Sequence, residues 1–156
     1  MMFFSHQHSE GISIQNTLIK WGTKRTDVWK LLTIPHETVD KGNLYSKGTV
    51  FDDYHSVEIN GTEASGYSFQ LGYDTNDELI EISIIWNFQI RINDLTLKAG
   101  TDFNTIREEL ADSNFMYLEN DPNEIRITDL NINLATASTK DFIPKAELLE
   151  YVYISA

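Results

Sequence analysis

Ile12-Ser13-Ile14-Gln15-Asn16-Thr17-Leu18-Ile19-Lys20-Trp21-Gly22-Thr23 is echoed 78 residues later by Ile90-Arg91-Ile92-Asn93-Asp94-Leu95-Thr96-Leu97-Lys98-Ala99-Gly100-Thr101. The match runs on without a gap to Val28/Ile106 and Leu32/Leu110. Six of the 22 paired positions from 11 and 89 onward are identical, enough to read the chain as an internal duplication. In each copy a short alternating segment (Ile12/Ile14, Ile90/Ile92) predicts a strand, and the Gly-Thr pair predicts a turn. Thr23 and Thr101 are then candidate N-caps, because a hydroxyl can accept from an unpaired amide of the first helical turn. Helices are expected next, with Val28, Leu31 and Leu32, then Phe103, Ile106 and Leu110, spaced to share a face.

Alternation resumes further on. Tyr67, Phe69, Leu71 and Tyr73 fall on one side of a strand. A longer strand is expected to align Ile80, Ile82, Ile84, Trp86, Phe88 and Ile90. The second half repeats the order more tersely: Ile125–Thr128 parallels Val57–Asn60, and Leu130–Leu134 parallels Tyr67–Leu71. Glu147-Leu148-Leu149-Glu150 echoes Glu78-Leu79-Ile80-Glu81. The expected fold class is α+β: two tandem helix-plus-antiparallel-meander repeats (11–88 and 89–156) in a single domain, helices on one face of the sheet or sheets. With no linker between the copies, one continuous sheet, or two fused edge to edge, is expected. The polar side, with Ser68, Gln70, Glu81, Ser83, Asn87, Arg126, Asn131 and Asn133, would then face water or a partner.

Leu18-Ile19-Lys20-Trp21-Gly22-Thr23 with Val28 and Leu32, then Phe69-Gln70-Leu71 and Glu78-Leu79-Ile80-Glu81-Ile82, resembles the repeat of the beta-lactamase-inhibitory-protein superfamily. It is similar also to the SmpA/OmlA lipoproteins, which look like a single copy. The resemblance covers most of the chain and implies a binding protein that presents the open face of a sheet. Its acidity, its lack of cysteine and its start make it look most like a small cytoplasmic immunity protein.

Totals narrow the function classes. Hydrophobic residues are 41% and charged residues 23% of 156, the balance of a folded domain. The start, Met1 to Glu10, has neither the basic nor the long apolar stretch of a signal peptide, so a cytoplasmic address is expected. Absence of cysteine removes disulfides, thiolate catalysis and cysteine metal sites. Twelve Lys and Arg against 24 Asp and Glu give −12, which repels nucleic acid and anionic membranes and attracts a basic protein. A monomer or homodimer is expected, without cofactor or metal.

No nucleophile elbow, Walker loop, His-Glu-x-x-His or dinucleotide fingerprint occurs, so catalysis is not expected. His6-x-His8 beside Glu10 has metal-compatible spacing but reads first as a solvated terminus. Asn120-Asp121-Pro122-Asn123-Glu124 offers calcium-friendly oxygens and reads first as a turn. Asp52, Asp53 and His55, with His36, are the residues a hydrolase or small-ligand protein would use. The favoured expectation is an inhibitory binding protein, an immunity protein against a basic toxin or nuclease, contacting it through Trp21, Trp29, Tyr54, Glu58, Tyr73, Asp74 and Glu81. A structural or homo-oligomeric module is the alternative. The connection from Thr33 to Val50, much longer than its counterpart, is a candidate for specificity.

Overall fold

The structure, a computed structural model, describes residues 1–7, 9–55, 68–85, 87–121, 123–136 and 148–156, with the backbone alone at 120 and 121. Its elements in chain order are β1 (Met2–His6), β2 (Gly11–Ile14), β3 (Thr17–Lys20), α1 (Arg25–Leu31), β4 (His36–Val39), β5 (Val50–Tyr54), β6 (Phe69–Tyr73) and β7 (Leu79–Ile85). Then follow β8 (Phe88–Ile92), β9 (Leu95–Lys98), α2 (Phe103–Asp112), β10 (Tyr117–Asp121), β11 (Glu124–Ile127), a 3-10 turn at Thr128–Leu130, β12 (Ile132–Ala135) and β13 (Tyr151–Ser155). Strands dominate. The expected α+β arrangement, with a layer of helices on one face, is therefore overturned.

The covering layer is a second sheet. Ile12 to Lys20 is two strands, not one, because Gln15 and Asn16 both take positive φ (48° and 69°) in a tight hairpin turn. Asn93, at φ 53°, does the same between β8 and β9. These two hairpins flank β1 in a five-stranded sheet of order β3-β2-β1-β8-β9. Its β1–β8 pairing, with Phe4 opposite Ile90, is parallel. All other ladders are antiparallel, including those of an eight-stranded sheet ordered β10-β11-β12-β13-β7-β6-β5-β4.

The sheets are stacked around one core rather than fused by their edges. Phe4, Ile14 and Ile90 of the smaller sheet share a buried cluster with Tyr54, Leu71 and Ile82 of the larger. Phe4 meets Phe69 edge-on, centroids 5.5 Å apart at 77°. The expected long strand through Ile80 to Ile90 is divided: β7 belongs to the large sheet and β8 to the small one. Trp86, between them, lies outside the described residues. The helices are short and sit at the margins, α1 against β3 and α2 against β9. Val28 and Leu32, with Phe103, Ile106 and Leu110, enter the same core, whereas Leu31 stays 49% exposed.

The order hairpin, helix, four strands occurs twice, and the large sheet reads outward from β13/β7 with corresponding strands on either side. The Gly-Thr turns are matched in detail. Gly22 and Gly100 take φ +82° and +88°, which glycine adopts cheaply, and no neighbour lies within 4 Å of where a Cβ would stand. Gly22 N donates to Leu79 O and Gly100 N to Leu149 O; Leu79 N donates to Thr23 O and Leu149 N to Thr101 O. Structure thus pairs Leu79 with Leu149, one residue away from the Glu78/Glu147 echo. The threonines are not N-caps, since their hydroxyls donate backward to Lys20 O and Lys98 O. The N-cap positions fall one residue later: Lys24 has no side-chain cap bond, and Asp102 accepts from Thr105 N at 2.8 Å. The expected partner of Ile125–Thr128, Val57–Asn60, lies outside the described residues; in strand order β11 corresponds to β5.

Candidate functional site

The first cluster of chemistry-bearing side chains lies where α1 meets β4 and β5. Asp52 is fully buried, and its carboxylate accepts from Arg25 Nε (3.2 Å) and Nη2 (3.0 Å), Trp29 Nε1 (2.8 Å) and Thr38 Oγ1 (2.9 Å). Burial alone would raise its pKa; these four donors and the Arg25 charge outweigh that and hold it below the usual range. Arg25 is raised in turn, mainly by its bond to Asp52. Its guanidinium lies 4.8 Å from the Trp29 ring centroid, while Trp29 stacks on His36, His36 leans on Tyr54, and Tyr54 stacks on Phe69. The set fastens the helix to the sheet. With its acceptor sites occupied, Asp52 has little capacity left for acid–base work.

Asp53 points to the opposite face, as successive strand residues must. There it accepts from Gln70 Nε2 (2.6 Å), and burial raises its pKa. His55 lies 4.0 Å from Glu37. Asp52, Asp53, His55 and His36 are therefore not gathered into one pocket. His6 is buried in the core face while Glu10 is at the surface beside Lys20, so those two are not brought together; His8 is outside the described residues. Glu124 is committed to Tyr45, as described next.

The outer face of the large sheet holds the main departure from expectation. Ser68, Gln70, Glu81 and Ser83, expected open to solvent, are buried. A strap formed by residues 40–49, inside the long connection from Thr33 to Val50, crosses Gln70, Glu81 and Ser83. Asn43 Nδ2 donates to Ser83 Oγ, Lys47 N to Glu81 Oε2 at 2.9 Å, and Gln70 Nε2 to Lys41 O at 3.3 Å. Tyr153 OH also donates to Glu81 Oε2, at 2.7 Å, and its own pKa is raised by burial and by that carboxylate. Gly72 makes room for this arrangement: a Cβ there would stand 2.4 Å from Glu81 Cγ. At the far end Tyr45 stacks on Tyr151 and Tyr153 (6.1 and 5.6 Å) and donates to Glu124 Oε2 at 2.6 Å.

Where the strap ends, a groove of about 830 Å³ opens beside the β7, β12 and β13 termini. Leu44, Ile85, Ala99, Ala135 and Leu149 contribute its apolar walls, with Tyr45 and Tyr151 beside them. Asn43, Asn87 and Asn123 supply amides, and Glu124 and Glu150 are the charged residues among the described lining. Leu44 is 94% exposed, so the fold gains little by keeping it there. A cavity of this size and lining suits an apolar ligand or a peptide segment carrying positive charge.

The expected contact residues fare unevenly. Tyr54 and Tyr73 are fully buried, their hydroxyls influencing one another without completing a bond of good geometry; burial raises both pKa values. Glu81 is buried under the strap. These three side chains are internal in this structure: Tyr54 and Tyr73 lie in the core cluster and Glu81 lies under the strap. Trp21 is half-buried against the core and Trp29 half-buried on Asp52. Asp74 organises its own turn by accepting from Asn76 N and Glu78 N. Glu58 lies outside the described residues. Of the groove residues, Tyr151 was not anticipated, whereas Leu44 and Tyr45 fall in the Thr33–Val50 connection and Glu124 in the Asn120–Glu124 segment, without either having been assigned to a groove. Leu44-Tyr45 carried a signal of its own, an apolar pair inside the otherwise polar stretch Asp40–Thr49.

Comparison with known protein families, with curated proteins and with solved structures finds no match.

Proposed function

We propose that the chain is a cytoplasmic protein-binding inhibitor of a basic partner, most specifically an immunity protein that neutralises a basic toxin or nuclease. It works by binding, not by catalysis. The observation that carries this reading is the groove: apolar walls, an exposed Leu44 at its margin, and Glu124 and Glu150 as the charged side chains among the described lining residues. An apolar side chain flanked by lysine or arginine fits such a lining. The excess of 24 acidic over 12 basic residues would speed the encounter, and that gain is screened beyond about 10 Å at 0.1 M salt.

Co-expression with the product of the adjacent gene tests the reading. A complex is expected whose association rate falls several-fold between 50 and 500 mM salt, and which Leu44→Asp weakens without altering the melting temperature. No complex and no protection from that product's toxicity would dismiss it. A second reading, a self-associating module, is favoured by Met116 and Leu118, 66% and 51% exposed on or beside edge strand β10. Light scattering at two concentrations separates the two: a stable dimer lacking any foreign protein supports self-association.

A further inference from the structure

The outward face of the five-stranded sheet has the opposite electrical character from the chain as a whole. Ladder register together with burial fixes which side chains it presents. Phe4, Ile12, Ile14, Ile90 and Leu97 point into the core, so Phe3, Ser5, Ser13, Gln89, Arg91 and Lys98 point away from it. Lys20 lies at the margin on β3. The charged residues of the five strands on this side are Lys20, Arg91 and Lys98, and no strand of the sheet contributes a carboxylate. In a chain of net charge −12 that makes the strand face cationic, although the exposed Asp94 of the β8–β9 turn and Glu10 border it. Glu10, just outside β2, reaches Lys20 only at 4.0 Å, with both side chains more than half exposed.

The geometry is that of a docking platform. Phe3, 50% exposed, stands opposite Gln89, whose other neighbour is Lys98. Arg91 stands opposite Ser5 and is exposed; among the described residues its Nε donates to Asn93 O at 3.0 Å. Strands lie about 4.8 Å apart, so a guanidinium, an ammonium and an aromatic ring fall within one short peptide's reach. Ser5, Ser13 and Thr96 between them are short and polar, leaving the surface low. Aromatic and arginine side chains are the usual anchors of protein interfaces.

We propose that this face binds an acidic polypeptide segment, its carboxylates on Arg91 and Lys98 and an apolar side chain against Phe3. The face carries the opposite charge from the groove, which begins at Ala99 next to Lys98, so one molecule would hold a basic partner and an acidic one on neighbouring surfaces. A nucleic acid is a poorer occupant because its continuous line of phosphates would run past three cations into the acidic surround, which a short peptide need not do.

The test uses the full chain and a fluorescein-labelled dodecapeptide of alternating glutamate and leucine, read by anisotropy and by backbone amide shifts. Saturable binding is expected, with shifts concentrated on β1, β8 and β9, and about a tenfold weakening for each of Arg91→Glu and Lys98→Glu. Phe3→Ser, which leaves the cations in place, should weaken it several-fold. Both charge variants are exposed, and an unchanged melting curve confirms that they fold. No saturable binding, shifts confined to the groove, or equal affinity in the doubly reversed variant would overturn the proposal. So would tighter binding of a twelve-base single-stranded oligonucleotide, or a concentration-dependent dimer that Arg91→Glu abolishes. Loss of the basic partner by Leu44→Asp leaves this result untouched, so the two sites fail independently.

Discussion

Asp52 and Asp53 are adjacent and titrate in opposite directions, which makes them a controlled pair. The folded pKa of Asp52 is lowered, so its contribution to stability is present above the unfolded carboxylate range near 3.9 and is lost as pH falls through the lower folded value. Asp52→Asn should cost about 3 kcal/mol at pH 7, the order expected when one partner of a buried pair is removed. In thermal melts that deficit should narrow below about pH 4, where the unsubstituted carboxylate itself becomes protonated. Asp53 is raised by burial, so the fold disfavours its charged form at neutral pH. Asp53→Asn keeps an oxygen for Gln70 and removes that charge, so its melting temperature should be equal or higher. A fall matching that of Asp52→Asn would contradict the assignment of opposite environments. Neither behaviour was readable from Asp52-Asp53-Tyr54-His55, because a residue's face is known from alternation only once the strand's neighbours are known.

Among the elements, the strap and α2 give the sharpest expectations. Tyr45 holds the strap through ring contacts with Tyr151 and Tyr153 and a bond to Glu124, among others. Tyr45→Ala should therefore free it, raising the rate of tryptic cleavage at Lys41 or Lys47 several-fold while leaving the core melt nearly unchanged. Unaltered cleavage would mean that Asn43 and Lys47 suffice. Asp102→Ala should cost about 1 kcal/mol as a lost N-cap, whereas Lys24→Ala, at the equivalent position of the first copy, should cost little. Periodicity located both helices and the matched Gly-Thr turns, because these are local properties of a segment. It missed the hairpins, although Gln15-Asn16 and Asn93-Asp94 are polar pairs between apolar runs, the usual mark of a two-residue turn. It could not foresee the strap, whose partners Ser83, Glu124 and Tyr153 are 40, 79 and 108 positions from Asn43, Tyr45 and Tyr45.

At the level of the whole molecule, the duplication governs how the sheet closes. The two four-strand halves meet along β13 and β7, where Tyr153 pairs with Ser83 and Val152 with Ile84. The small sheet joins its hairpins through β1, whose partner β8 lies more than 80 residues away. Such distant pairings make the topology slow to form, on the order of milliseconds to seconds, and stopped-flow refolding should show it. Shortening the chain after Glu150 removes β13 and leaves β7 and β12 without their shared neighbour. Cooperative melting should then disappear, and a retained cooperative transition would show that the halves stand alone. The position of β13 also bears on synthesis. As the nascent chain leaves the ribosome, the seam of β7 waits unzipped while about 65 further residues are added, roughly 3–13 seconds at about 5–20 residues per second. For that interval a hydrogen-bonding margin beside Ile82 and Ile84 is bare, and a holding chaperone would have its moment there.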